Sequence, residues 1–187
     1  MTLEEYLERV AARAPAPGGG AVAAVTLAAA AGLVAMAARF DDGRDETAAI
    51  VEEADAIRRE ALRLADEDTV AYAAVLDASR ADHDDEAARR RAVRAALSAA
   101  TDVPLGVVER GHRVATLGVP VALDGNPNLR GDALVGVRLA DAAARSAADL
   151  VRLNASLGDL GDGPVDQAES WCAELRVVVG ALEQPPR

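Results

Sequence analysis

The chain's 187 residues are enough for one ordinary domain and short for two. A net charge of −11, with no basic stripe interleaved with aromatics, argues against nucleic acid as a partner. Hydrophobic residues make up 51% of the chain but aromatics only 2%, and alanine supplies about half of the difference. Alanine-lined helices approach closely yet bury little area each, so a second copy of the chain is expected to complete the burial as a homodimer.

In chain order, residues 2–14 read as a short helix. Leu3, Tyr6, Leu7 and Val10 share a face, and Thr2 with Glu5 has capping-box spacing. Its acidic residues Glu4, Glu5 and Glu8 do not fit a signal peptide. Pro15 ends the helix, and Pro15-Ala16-Pro17-Gly18-Gly19-Gly20 forms a loop before an apolar helix over 20–40. Residues 21–38 carry no charge and reach the length of a membrane span. Alanine gains little from lipid and no aromatic belt flanks the run, so it reads as a buried helix with no membrane as partner. Residues 41–45 form a turn by composition. Residues 46–79 repeat Ile50, Ala54, Ile57, Ala61, Leu64, Val70 and Val75 near the helical period. A polar break at 80–85 offers two helix caps. The next helix is expected over 86–117, kinked near Asp102 by Pro104 and ended by Gly118 and Pro120. A loop over 124–132 then leads to an alanine-rich helix over 133–157, with Asp132 placed as its N-cap. After a turn at 158–164, residues 165–182 form a last amphipathic helix. The expected class is all-α, a bundle of about six helices with two long alanine-rich buried helices, in one domain.

Chemistry can come from few places. The Gly18, Gly19 and Gly20 backbone sits where a helix start presents unpaired amides, which suits an anionic or carbonyl ligand or a plain helix-start turn. A phosphate-binding P-loop needs a lysine, and this protein has none. Asn126 and Asn128 offer donors and acceptors to a heterocycle, or simple turn chemistry. If the helices behind these two loops pack side by side, their positive ends converge on one pocket. Asp68 lies mid-helix near the apolar stripe and shares a face with Tyr72. It is either a boundary residue or a buried acid with a raised pKa. Asn154 is a candidate amide or a surface residue. Glu109 and His112 have a Glu-x-x-His spacing, but a di-iron bundle needs that pattern twice, so no metal is expected. The lone Cys172, beside Trp171, cannot form an internal disulfide and suits a buried thiol in a cytoplasmic protein.

Three blocks in this order resemble the cyclodeaminase/cyclohydrolase family: residues 15–24 with the Pro-Gly-Gly-Gly loop, Asp68-Thr69-Val70-Ala71-Tyr72, and Gly125-Asn126-Pro127-Asn128 with Asp132. Residues 100–105 and Arg152-Leu153-Asn154 with Asp159 support it, and the likeness covers about 2–175. The resemblance implies an all-helical obligate homodimer that binds a tetrahydrofolate derivative as substrate at the dimer interface, with no tightly bound cofactor. It implies Asp68 as general acid/base, with Gly18, Gly19, Gly20, Asn126, Asn128, Asp132 and Asn154 holding substrate. The implied reaction makes or opens the 5,10-methenyl bridge of tetrahydrofolate. Three positions depart from the family pattern. Arg44 among acids replaces a Gly-Lys-Lys-like turn, Gly131 replaces a serine, and Leu150 replaces an asparagine. The missing basic turn and Leu150 favour the rival reading, an inactive folate-binding or scaffold helical dimer. A membrane-associated protein would rest on 21–38 alone.

Overall fold

The computed structural model describes residues 1–41 and 46–183. Among these it contains six α-helices and no strand: α1 (Leu3–Ala11), α2 (Gly19–Arg39), α3 (Thr47–Arg80), α4 (Glu86–Asp124), α5 (Arg130–Gly158) and α6 (Gly163–Gly180). Short 3-10 turns follow α4 and α6. The expected turn at 41–45, with Arg44, falls mostly outside the described residues.

Helices α2 to α5 run alternately up and down as a four-helix bundle. Gly32 of α2 faces Arg58 of α3, while Gly20, near the start of α2, faces Asp68 further along α3. Between α3 and α4, Arg113 pairs with Glu53 and Arg110 with Glu60 at 2.6 Å. Between α4 and α5, Gly111 meets Ala144, Gly118 meets Val137, and Gly158 meets Leu97. Each register descends as its partner ascends, so neighbours are antiparallel. Helix α2 touches α3, α4 and α5, and α6 packs across α4 and α5. By length and composition α2 could cross a membrane. Here it buries one face of mostly alanine, with Leu27 and Val34, against three neighbours.

Side-chain caps account for two of the six helix starts. Thr2 and Glu5 form a capping box at α1, and Asp85 caps α4 by accepting from the Ala88 amide at 2.6 Å. Two expected boundaries fail. Helix α4 does not stop at 117 but continues through Pro104, Gly118 and Pro120 to Asp124. Burial of Val114, Ala115, Leu117, Val121 and Ala122 in the core keeps the last turns wound despite the prolines. Asp132 is not an N-cap: α5 already begins at Arg130 after the 3-10 turn, and Asp132 lies inside the first helical turn.

Candidate functional site

Asp68 lies on α3 where the start of α2 crosses it. Its Oδ2 accepts the Ala21 backbone amide at 3.0 Å, one of the helix-start donors that α2 itself leaves unpaired. Gly20 makes this seat possible: a Cβ there would lie 1.9 Å from Asp68 Oδ1. Burial raises the Asp68 carboxyl above its ordinary 3.8, and the Ala21 amide partly opposes the rise.

The carboxyl faces a cleft of about 430 Å³. Gly18, Gly19 and Gly20 with Pro15 and Ala16 form one wall, and Asp68, Ala71, Tyr72 and Val75 of α3 the next. Leu97, Ala100 and Pro104 of α4 and the α5 residues Leu150, Leu153, Asn154 and Leu157 close it. The site therefore has one half-buried acid, amides at a helix start and largely apolar sides, a pattern suited to a flat heterocycle with a reacting centre near the acid.

Asn154 donates from Nδ2 to the Ala100 carbonyl at 3.3 Å. The cause is Pro104, which has no N–H and so deprives the carbonyl four residues back of its helical donor. Asn154 replaces that donor from the neighbouring helix. Leu150 stands one turn earlier in the same wall, so the departure at that position is inside the cleft.

The remaining expected residues are elsewhere. The positive ends of α2 and α5 do not converge, because these helices are antiparallel: Gly136, near the α5 start, packs on Ala30 and Val34, and the α5 end reaches Gly18–Gly20. Asn126 donates from Nδ2 to the Phe40 carbonyl at 2.9 Å, just past the α2 C-terminus, and its Oδ1 accepts the Asn128 amide at 3.0 Å. At a rise of 1.5 Å per residue this is about 30 Å from Gly20. Asn126, Asn128 and Asp132 therefore do not line the cleft of this chain. Gly131 is exposed, and a Cβ there would meet nothing within 4 Å. His112 approaches Glu174 at 3.6 Å, and among the described residues no group of three His, Cys, Asp or Glu side chains is placed to hold a metal.

Sequence reasoning missed the α4 wall. Leu97, Ala100 and Pro104 recur at helical spacing and are indistinguishable from core positions until the bundle is assembled. It also missed Tyr6, whose buried hydroxyl has no hydrogen-bond partner and is pushed up by burial and then by the Asp68 charge.

A sequence model of formiminotransferase-cyclodeaminase matches residues 2–162. The chain belongs to the formiminotransferase-cyclodeaminase family. It is similar to the methenyltetrahydrofolate cyclohydrolase of Methylorubrum extorquens, 35% identical over 164 residues, 82% of this chain and 79% of that protein. It also resembles the crystal structure of formiminotetrahydrofolate cyclodeaminase from Thermotoga maritima, at 25% identity and a TM-score of 0.79 over 98% of each chain. That superposition extends through α6, beyond the residues of the family match.

Proposed function

We propose that this member of the formiminotransferase-cyclodeaminase family is an enzyme that makes or opens the 5,10-methenyl bridge of tetrahydrofolate. The observation that carries the proposal is the Asp68 carboxyl, half-buried and seated on the Ala21 amide inside the cleft. The identity to a cyclohydrolase supports the ring-opening direction. In that direction water adds to the bridging carbon and gives its proton to the Asp68 carboxylate. The tetrahedral carbon that results collapses as the same carboxyl returns the proton to N5 and the remaining hydroxyl proton passes to solvent, which leaves the carbonyl of the formyl group. The carbon–N5 bond breaks, and the formyl group stays on N10. In the deaminating direction N10 attacks the formimino carbon, and a protonated amine leaves as ammonia. Both routes move protons and no electrons, so an acid tuned toward neutral pH and a positioned substrate suffice. The Gly18–Gly20 backbone and the Asn154 Oδ1 are the groups available to hold the pterin.

A homodimer belongs to the same proposal. Along α2, Val22, Thr26, Ala29, Leu33, Met36 and Phe40 form one uncharged outer stripe, none of them fully buried, and the Thr26 hydroxyl is spent on the Val22 carbonyl at 2.8 Å. A second copy laid antiparallel across a two-fold axis covers this stripe. It also brings the partner's Asn126–Asn128 loop beside the Gly18–Gly20 end of this protomer. That pairing gives Asn126, Asn128 and Asp132 a place at the substrate.

The decisive variant is Asp68→Asn. Turnover followed by the loss of methenyl absorbance, and ammonia release from the 5-formimino substrate, both fall by about 10²–10⁴-fold while the helical content is kept. Wild-type rates in a folded Asp68→Asn protein end the assignment. Mixing Asp68→Asn with Asn128→Ala chains restores activity that neither has alone; a monomer by light scattering refutes the shared site. Leu150 favours a second reading, a dimer that binds folate without turning it over, and calorimetry showing tight binding without turnover would establish it.

A further inference from the structure

We infer that Tyr6 is a positioning residue for the reaction, its hydroxyl donating a second hydrogen bond to the Asp68 carboxylate from the side away from the cleft, an inference that rests on the folate reading above for its kinetic consequence. The Tyr6 hydroxyl is buried and has no hydrogen-bond partner. Leaving a buried hydroxyl unpaired is a net cost, and phenylalanine would fill the same space without it, so packing alone does not explain the oxygen. Tyr6 and Ala21 line one hollow, of about 630 Å³, together with Ala65 and Thr69 of α3. The Ala21 amide is the group that holds Asp68 Oδ2, and Ala65 and Thr69 bracket Asp68 along its helix. Asp68 therefore stands between the chain's two tyrosines, with Tyr72 beside it in the cleft and Tyr6 behind it.

Burial, and then the Asp68 charge, hold the Tyr6 hydroxyl above its ordinary 10.0, so it stays protonated and faces the carboxylate as a donor. The helix that carries it can close the remaining gap. No residue of α1 is buried, Leu3 and Leu7 are exposed, and the hollow under α1 leaves it room to settle onto α2 and α3. The charged groups near this pair are few. Met1, Arg9 and Asp66 border the hollow, and Arg9 reaches the Met1 Sδ at 3.5 Å. Asp66 and Glu67, which precede Asp68 on α3, are exposed, and the cleft lining on α2, α4 and α5 carries no charge. A donor on the carboxylate favours the charged form and so opposes the effect of burial. Asp68 is thereby kept ready to take the proton of the attacking water.

The test is Tyr6→Phe, which removes the oxygen and keeps the ring. The acid limb of the kcat/KM profile for ring opening is expected to move up by about one pH unit, a loss of about tenfold at a fixed pH on that limb. KM and the plateau rate change by less than about twofold, because no contact to substrate is lost. A hydroxyl with only a packing role gives an unmoved profile and a higher melting temperature, and that result overturns the inference. Stability supplies a readout independent of turnover. In denaturant titrations Tyr6→Phe and Asp68→Asn are expected to be non-additive, and strict additivity argues the bond away. If Tyr6→Phe does not fold, tyrosinate absorbance decides, read with and without Asp68→Asn in a Tyr72→Phe background where Tyr6 is the single tyrosine. Losing the Asp68 charge should let Tyr6 ionise about one pH unit lower, and superimposable curves overturn the inference. A wild-type protein that turns over neither the methenyl nor the formimino substrate removes the folate reading instead, and the non-additivity still decides whether the bond exists.

Discussion

The close contact between Gly20 and Asp68 turns one methyl group into a probe of the site. In Gly20→Ala the new Cβ would lie 1.9 Å from Asp68 Oδ1, 2.6 Å from Cγ and 3.0 Å from Oδ2. Carbon and oxygen rest at roughly 3.3–3.6 Å, so the carboxyl must swing away by more than about 1 Å. It can do so, because it is the end of a side chain rather than backbone. The move breaks the 3.0 Å bond from the Ala21 amide, a loss of about 1.5–3 kcal/mol for a hydrogen bond to a charged group. Alanine in place of glycine returns about 1 kcal/mol of helix propensity. The net destabilisation is about 0.5–2 kcal/mol, or about 2–6 °C in melting temperature for a chain of this size. Activity suffers more, because a misplacement of about 1 Å at a reacting group costs about 100-fold. Gly180→Ala, where the added methyl meets nothing within 4 Å, is the control. Melting curves and the methenyl absorbance assay on the same preparations read both effects. A folded Gly20→Ala protein with turnover within about threefold of wild type would show that the seat of Asp68 is irrelevant to catalysis.

Further expectations concern pH and packing. Because burial raises the Asp68 pKa, the folded state holds a proton that the unfolded chain releases from about pH 3.8 upward. Stability from this group is therefore complete below that pH and declines as pH rises through the folded pKa. The melting temperature of Asp68→Asn minus that of wild type should grow with pH across this window and then level off. A difference that shrinks instead contradicts the burial argument. Asn154→Ala should cost about 1–3 kcal/mol by leaving the Ala100 carbonyl without a donor. In a Pro104→Ala background, where residue 104 recovers its N–H, the same change should cost much less, and strict additivity in denaturant titrations would disprove the link. Gly111→Ala places a Cβ 2.8 Å from Ala144 Cβ and 3.0 Å from the Ala140 carbonyl, and the backbone there cannot swing aside. A loss of about 1–3 kcal/mol is expected despite the better helix propensity, and an unchanged melting temperature would refute it.

Local composition was sufficient for the class and the order of the helices. Thr2 with Glu5, and the aspartates before α4, marked helix starts, and the uncharged 21–38 run marked α2. Asp68 was legible because a carboxylate beside an apolar helical stripe is anomalous wherever the chain folds. Where α4 ends was not legible. Gly118 and Pro120 are breakers by local rules, and only burial against α2 and α5 overrides them. Nor could the sequence tell which helix ends meet. Two loops with similar polar chemistry looked like halves of one pocket, yet the antiparallel packing of α2 and α5 sets them at opposite ends of the bundle. A linear pattern records which face of a helix is apolar. The direction in which that helix runs past its neighbour depends on contacts between residues far apart in the chain. Those contacts seat Asp68 under Gly20 and give Asn154 the carbonyl that Pro104 leaves open.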